Sequence, residues 1–281
     1  MMAAVDAVAL LRAHFPALQF REAHVVDDGW DSFVLDLDDR WIVRFPRRPE
    51  VESWMEREIV LLPELAPTLP VEVPHFELIA RDGLVCAGYR KVAGSPATGD
   101  LGEQTGNDLG RFLSALHAFP VERARALGVS CFDPAAWRDE YARLCDGFRR
   151  RVSPLLRPDE RTQAGVVFAE VDTLDFEPVL LHADLGPAHV LCRHGRVVGI
   201  IDWSDVRVGD PALDLAWCLN GTPRQVADAV GRTYAVDGPL RRRSLFYHRL
   251  GPWHEVTYGM DTNQERFVRS GIAGVRTRLP R

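Results

Sequence analysis

The segment His182-Ala183-Asp184-Leu185-Gly186-Pro187-Ala188-His189, followed after a short interval by Ile200-Ile201-Asp202-Trp203, constrains this chain more than any other stretch. Leu180 and Leu181 end an apolar run and Leu185-Gly186-Pro187 breaks it. Val190-Leu191-Cys192 is then joined to Val197 through Ile201 across Arg193-His194-Gly195-Arg196. This predicts a strand, a tight loop and a hairpin. With the turn centred on His194 and Gly195, position 189 faces position 200. Asp202 then lies diagonally across from His189 on the same face, roughly 7–8 Å away by usual cross-strand geometry. Two such groups suit metal ions, and Asp184 overhangs the same spot as a base.

A carboxylate that orients and deprotonates a hydroxyl, beside two metal-binding groups that neutralise phosphates, is what phosphoryl transfer from a nucleotide requires. The rest of the chain offers a frame for it. From Glu22 to Arg47 the alternation His24-Val25-Val26, Phe33 to Leu37 and Trp41 to Phe45 predicts an antiparallel meander. On the third strand Ile42 and Arg44 share one face while Trp41, Val43 and Phe45 take the other. Val51, Met55, Glu58, Leu62 and Leu65 fall on one helical stripe, which sets a carboxylate among apolar residues. A lone charge there is costly, so Arg44 is its expected partner. His75 to Ala80 and Leu84 to Val92 read as two more strands. Beyond Ala93-Gly94-Ser95-Pro96 the pattern is mainly helical, with segments at Glu103 to Ala118, Pro134 to Arg150, Asp159 to Asp172 and four more after the hairpin. Asp210-Pro211 reads as a helix start, and Arg241-Arg242-Arg243 as decoration of a solvated helix end.

HxDxxxxH, then IIDW, then GDPxxDLAW resembles the aminoglycoside and macrolide phosphotransferases, antibiotic kinases with a protein-kinase-like fold. The resemblance runs from Gly29-Trp30-Asp31-Ser32 to Trp253-His254-Glu255-Val256-Thr257-Tyr258-Gly259. It implies an α+β, bilobal architecture: an antiparallel-sheet lobe for nucleotide over residues 1–92 and a mainly helical catalytic and substrate lobe over 93–281. It implies ATP or GTP as phosphate donor and Mg2+ as cofactor, with Asp184 as base and His189 and Asp202 as metal ligands. Gly29, Ser32, Arg44, Glu58, Cys86 and Tyr89 would meet the nucleotide, the base lying against backbone near Cys86 to Tyr89. His182, Asp210 and Asp214 would support the site, Asp214 by bracing the catalytic loop. His117 reads as a packed, hydrogen-bonded histidine.

Two departures mark this sequence. Arg44 stands where kinases carry lysine, and a planar fork does not place charge as an ammonium does. His189 stands where many relatives have asparagine, although magnesium prefers hard oxygen ligands. That histidine, with the Trp253 to Gly259 run, tilts the resemblance towards the aminoglycoside 2″-phosphotransferase and macrolide phosphotransferase branches.

A net charge of −6 argues against a nucleic-acid partner and suits a cationic one. No run approaches the ~18 apolar residues of a spanning helix, and five scattered cysteines without a CxxC pair fit a reducing cytoplasm. The expectation is a cytoplasmic monomer acting on a small-molecule antibiotic. Glu255, Asp261 and Glu265, with Trp253 and Tyr258, are the candidate acceptor contacts for an aminoglycoside or a cationic cyclic peptide such as capreomycin or viomycin. A macrolide would instead want apolar walls, from Phe246, Tyr247, Trp253 and Tyr258. The competing readings are a kinase for an amino alcohol or sugar, and a nucleotide-binding pseudokinase that regulates a partner.

Overall fold

The computed structural model describes residues 4–27, 31–82, 85–99 and 101–280. After helix α1 (Ala4–His14), strands β1 (Ala23–Asp27), β2 (Ser32–Leu37) and β3 (Trp41–Pro46) form the antiparallel meander. Helix α2 (Pro49–Leu65) follows, then β4 (Phe76–Ala80) and β5 (Cys86–Arg90), which complete a five-stranded sheet of order β1-β2-β3-β5-β4. Alternation sorts the two faces. Phe33, Leu35, Leu37, Trp41, Val43 and Phe45 pack with Ala7 and Leu11 of α1 into one core. Ile42 and Arg44 emerge on the other side, towards the helical lobe. The β2–β3 turn passes through Asp38 and Asp39, both at φ 55°. Aspartate tolerates this left-handed backbone, and the Asp38 carboxylate accepts the amides of Arg21 (3.0 Å) and Glu22 (2.7 Å).

The helical lobe holds α3 (Glu103–His117), α4 (Val121–Ala126), α5 (Pro134–Arg151), α6 (Pro158–Ala169), α7 (Leu215–Asn220), α8 (Arg224–Thr233), α9 (Gly238–Asp261) and α10 (Glu265–Arg278). Its core surrounds the fully buried Trp137, Trp203 and Trp253, and Leu61, Leu62 and Leu65 of α2 join it from the sheet side. Gly106 and Gly110 of α3 let α8 approach closely. A Cβ on Gly106 would collide with the Val226 carbonyl, and one on Gly110 with Thr233 Oγ1. None of the described helices is long and apolar enough to cross a membrane, and the five cysteines carry free thiols.

Between these helices lie short strands. β6 (Ser95–Pro96) pairs with β8 (Val190–Arg193), which pairs with β9 (Arg196–Ile200), and β7 (Val179–Leu181) pairs with β10 (Arg207–Gly209). The β8–β9 turn is the expected one. Its two residues, His194 (φ 50°) and Gly195 (φ 73°), are left-handed, as a two-residue hairpin demands. The register beyond it is not as expected. Leu191 faces Gly199 and Cys192 faces Val197, so Val198 bulges out and Val190 faces Ile200. Position 189 therefore lies against 201, not 200, and the Ile201 amide donates to His189 O at 3.0 Å. Residue Glu72 stitches the bulge: its amide donates to Val198 O and its carbonyl accepts from the Ile200 amide, each at 2.9 Å.

Two further expectations give way. No helix starts at Asp210-Pro211; Asp210 opens a turn, accepting the Ala212 amide at 3.0 Å, and α7 begins only at Leu215. Arg243 is no solvated decoration. Its Nε donates to the fully buried Asp210 at 2.8 Å, beside the Tyr247 hydroxyl at 2.9 Å, because a buried carboxylate needs a cation and donors.

Candidate active site

The loop from His182 to His189 is held from below. Buried Asp214 accepts the amides of His182 (2.9 Å) and Ala183 (2.8 Å), which fixes Ala183 at φ 68°. His117 Nε2 lies 3.2 Å from the same carboxylate while its Nδ1 meets the Tyr234 hydroxyl at 2.8 Å. His182 is fully buried. Its Nε2 sits 3.0 Å from Ile201 O and its Nδ1 accepts the Asp184 amide at 3.3 Å, a pair of contacts that only the neutral Nε2–H tautomer satisfies. Burial also lowers its pKa, which keeps the ring neutral.

His189 stands between the two aspartates. Its Nδ1 lies 2.7 Å from Asp184 O and 3.3 Å from Asp184 Oδ2, so Nδ1 carries the hydrogen and the Nε2 lone pair faces Asp202 Oδ2 at 3.6 Å. Two lone-pair donors facing each other call for a cation or a proton between them. Asp202 and His189 are the groups that would hold the magnesium the resemblance implies; the hard oxygens of Asp202 suit such an ion, the imidazole less so. Asp202 adopts φ 64°, a strained backbone for an aspartate outside a turn. Burial raises its pKa, but opposing groups, the Arg44 guanidinium first, outweigh that and hold it below the usual carboxylate range. Asp184 behaves oppositely. Desolvation in the cleft, opposed by His189 and reinforced by Asp205 and Asp202, pushes its carboxyl up to about 6.

Across the cleft, Arg44 Nη1 donates to both oxygens of Glu58, at 2.9 and 2.8 Å, and Glu58 is fully buried. Burial disfavours the guanidinium charge, yet Glu58 and Asp202 more than offset this and raise the Arg44 pKa. Arg44 Nη2 donates to Ser204 Oγ at 2.8 Å, and that hydroxyl lies 3.2 Å from Glu58 Oε1 and 3.1 Å from Asp202 Oδ1. Having one proton, Ser204 can donate to only one of the two carboxylates. It ties the sheet's ion pair to Asp202, a link the sequence reading missed although Ser204 is a lone hydroxyl two residues beyond Asp202.

Ser32 is buried and its Oγ has no hydrogen-bond partner among the described residues; a phosphate oxygen would supply one. Gly29 lies outside the described residues. Tyr89, Val92 and Leu191 form an apolar cluster against which Ile42 and Ile201 pack, a surface suited to a planar base. Cys86 is buried on the opposite face, in the α1 core, so only its backbone is near this surface.

A cavity of about 560 Å³ adjoins Asp184. None of the five expected acceptor residues lines it. Trp253 is buried against Phe148 and Phe168, and Tyr258 meets Phe267 edge to face. Glu255 accepts from Ser270, Asp261 pairs with Arg151, and Glu265 with Arg269. The walls come instead from Tyr247, His248, Gly251 and His254, earlier along α9 than the expected Glu255, Tyr258 and Asp261, with Glu140, Asp205, Arg207, Trp217 and Arg278.

Asp184, His189 and Asp202 face an arginine held by a buried carboxylate, beside an open cavity, on a two-lobed scaffold of the kinase-like phosphotransferase kind. The chain belongs to the Phosphotransferase enzyme family (APH), which matches residues 22–246; the protein is a phosphotransferase enzyme. It is similar to viomycin phosphotransferase of Streptomyces vinaceus, 28% identical over 151 residues that cover 45% of this chain and 50% of that one. Its fold is shared with the GDP and kanamycin complex of APH(2″)-IIia, at TM-score 0.86 and 22% identity over 98% of both chains. A macrolide 2′-phosphotransferase from Brachybacterium faecium superposes at TM-score 0.76 and 25% identity, covering 96% of this chain and 97% of that one.

Proposed function

We propose that this protein transfers the γ-phosphate of ATP or GTP to a hydroxyl of a cationic antibiotic. The observation that carries the reading is the convergence of Asp184, His189 and Asp202 beside the acceptor cavity, with the Arg44–Glu58 pair facing them. In this reading Asp184 orients the acceptor hydroxyl and takes its proton. Arg44 offsets phosphate charge, Ser32 donates to a phosphate oxygen, and the cluster around Tyr89 and Leu191 receives the base. Magnesium bound by Asp202 and His189 would neutralise charge on the transferring group. Asp214 and His182 fix the loop, so that little reorganisation is left for the reaction itself.

The test is a coupled nucleotide-turnover screen over aminoglycosides, tuberactinomycin-type peptides, macrolides and amino alcohols at two salt concentrations. A cationic, hydroxylated antibiotic should be the best acceptor, with an affinity that falls as salt screens the acidic wall. The aromatic and leucine side chains of the cavity, Tyr141, Leu144, Trp217 and Leu250 among them, favour a macrolide as the second reading. A macrolide as best substrate with salt-independent affinity would establish it. Tight nucleotide binding without turnover of any acceptor would overturn catalysis.

The two proposed ligands of the cation should differ in weight. Asp202→Asn is expected to weaken magnesium-dependent nucleotide binding strongly, and His189→Asn only mildly, because asparagine offers an oxygen at the same position. Magnesium titrations of nucleotide affinity for the three proteins check this; equal damage from both would mean the imidazole does more than ligate.

A further inference from the structure

The main chain around Asp202 is held from both sides. Before it, the Ile201 amide donates to His189 O at 3.0 Å; after it, the fully buried Trp203 donates its indole N–H to Ile200 O at 3.1 Å. These bonds leave the torsion of the carboxylate itself open, and Ser204 closes it. Its Oγ lies 3.1 Å from Asp202 Oδ1, which leaves Oδ2 turned towards His189 Nε2. The same Oγ accepts from Arg44 Nη2 at 2.8 Å, so it has one hydrogen to give. Both oxygens of Glu58 already accept from Arg44 Nη1, whereas among the described residues Ser204 is the only hydroxyl or amide that donates to Asp202. The hydrogen therefore belongs on Asp202.

That hydroxyl also stands between opposite charges. Arg44 is drawn to Asp202 as well as to the Glu58 it pairs with, and a single buried oxygen separates its second nitrogen from Asp202 Oδ1. Without it the guanidinium loses an acceptor and the carboxylate a donor, and opposite charges left so close inside a protein draw together. Asp202 would then be spent on an arginine. We infer that Ser204 is a positioning residue: it keeps Arg44 off Asp202 and fixes the carboxylate by Oδ1, so that Oδ2 stays free for a divalent cation. This rests on the proposed role of Asp202 and His189 as metal ligands, and it assigns the orientation of that site to a hydroxyl outside the ligand pair.

The β,γ-imido analogues of ATP and GTP serve as probes, their binding measured by calorimetry across a magnesium titration on the wild type, Ser204→Ala, Ser204→Cys and Ser204→Thr. Thermal melting is recorded without metal. Ser204→Ala should raise the magnesium needed for half of the gain in affinity by about tenfold, the worth of a hydrogen bond to a charged group, while affinity without magnesium falls much less. A crystal structure of that variant should show Arg44 Nη2 within ion-pair distance of Asp202. Ser204→Cys fills the same space but hydrogen-bonds weakly, so it should show a smaller rise, and it carries the test if the alanine variant melts early. Ser204→Thr keeps the hydroxyl and should keep the wild-type magnesium requirement. The inference is overturned if the alanine and cysteine variants need no more magnesium than the wild type, or if affinity falls by the same factor with and without the ion, the mark of mere scaffold. A wild type whose nucleotide binding ignores magnesium would instead sink the metal-ligand reading, and this inference with it.

Discussion

Alanine at position 184 is expected to lower turnover by roughly 10²–10⁴-fold, the usual range for a positioned general base, while nucleotide affinity changes little. The division follows from what each group touches. Asp184 lines the cavity, whereas the groups proposed to meet phosphate are Ser32, Arg44 and Asp202. A carboxyl raised to about 6 also has more affinity for a proton than an ordinary aspartate, which suits it to accept one from an alcohol in passing. Turnover and equilibrium nucleotide binding, measured on the same preparations, separate the two effects. Retention of more than a tenth of wild-type turnover would remove Asp184 from the base role.

Removal of Glu58 should be the most damaging single change to stability. It leaves the buried Arg44 guanidinium hydrogen-bonded to Ser204, with Asp202 as the remaining counter-charge nearby, and breaking a buried pair from one side costs roughly 3–5 kcal/mol. At a few degrees per kcal/mol for a chain of this size, the melting temperature of Glu58→Ala should fall on the order of 10 °C. Arg44→Ala should resemble it, and Arg44→Lys should retain more nucleotide binding than Arg44→Ala. The double variant should be less unstable than the sum of the two single variants, because removing both partners leaves no orphaned charge. Strict additivity in that cycle would reduce the pair to ordinary scaffold.

How much of this was legible depends on which forces place each residue. The faces of β2 and β3 and the stripe of α2 follow from local periodicity, and Glu58 announced its partner because an apolar stripe cannot hold a bare carboxylate. Asp214 came with the motif. Of the cavity wall only Tyr247 was named, as a side for a macrolide, since α9 is apolar on more than one side: Phe246 and Trp253 face the core while Tyr247 and Leu250 border the cavity. Periodicity finds such a helix but not which face is open. The rest of the wall comes from α5, the loop after Asp202 and the end of α10, segments that meet only in the folded chain. Arg243 was misjudged for a similar reason, because its partner Asp210 lies 33 residues away.

The extra residue in β9 bears on how this site would have to be taken apart. Val198 packs its side chain against the cluster of Tyr89, Val92 and Leu191, and Glu72 bonds the main chain on both sides of it. Asp202, two residues past the end of β9, stands 3.6 Å from the His189 imidazole. The bulge is thus pinned by the backbone of a residue far away in the sequence, and exchanging the Glu72 side chain would leave both of those bonds in place.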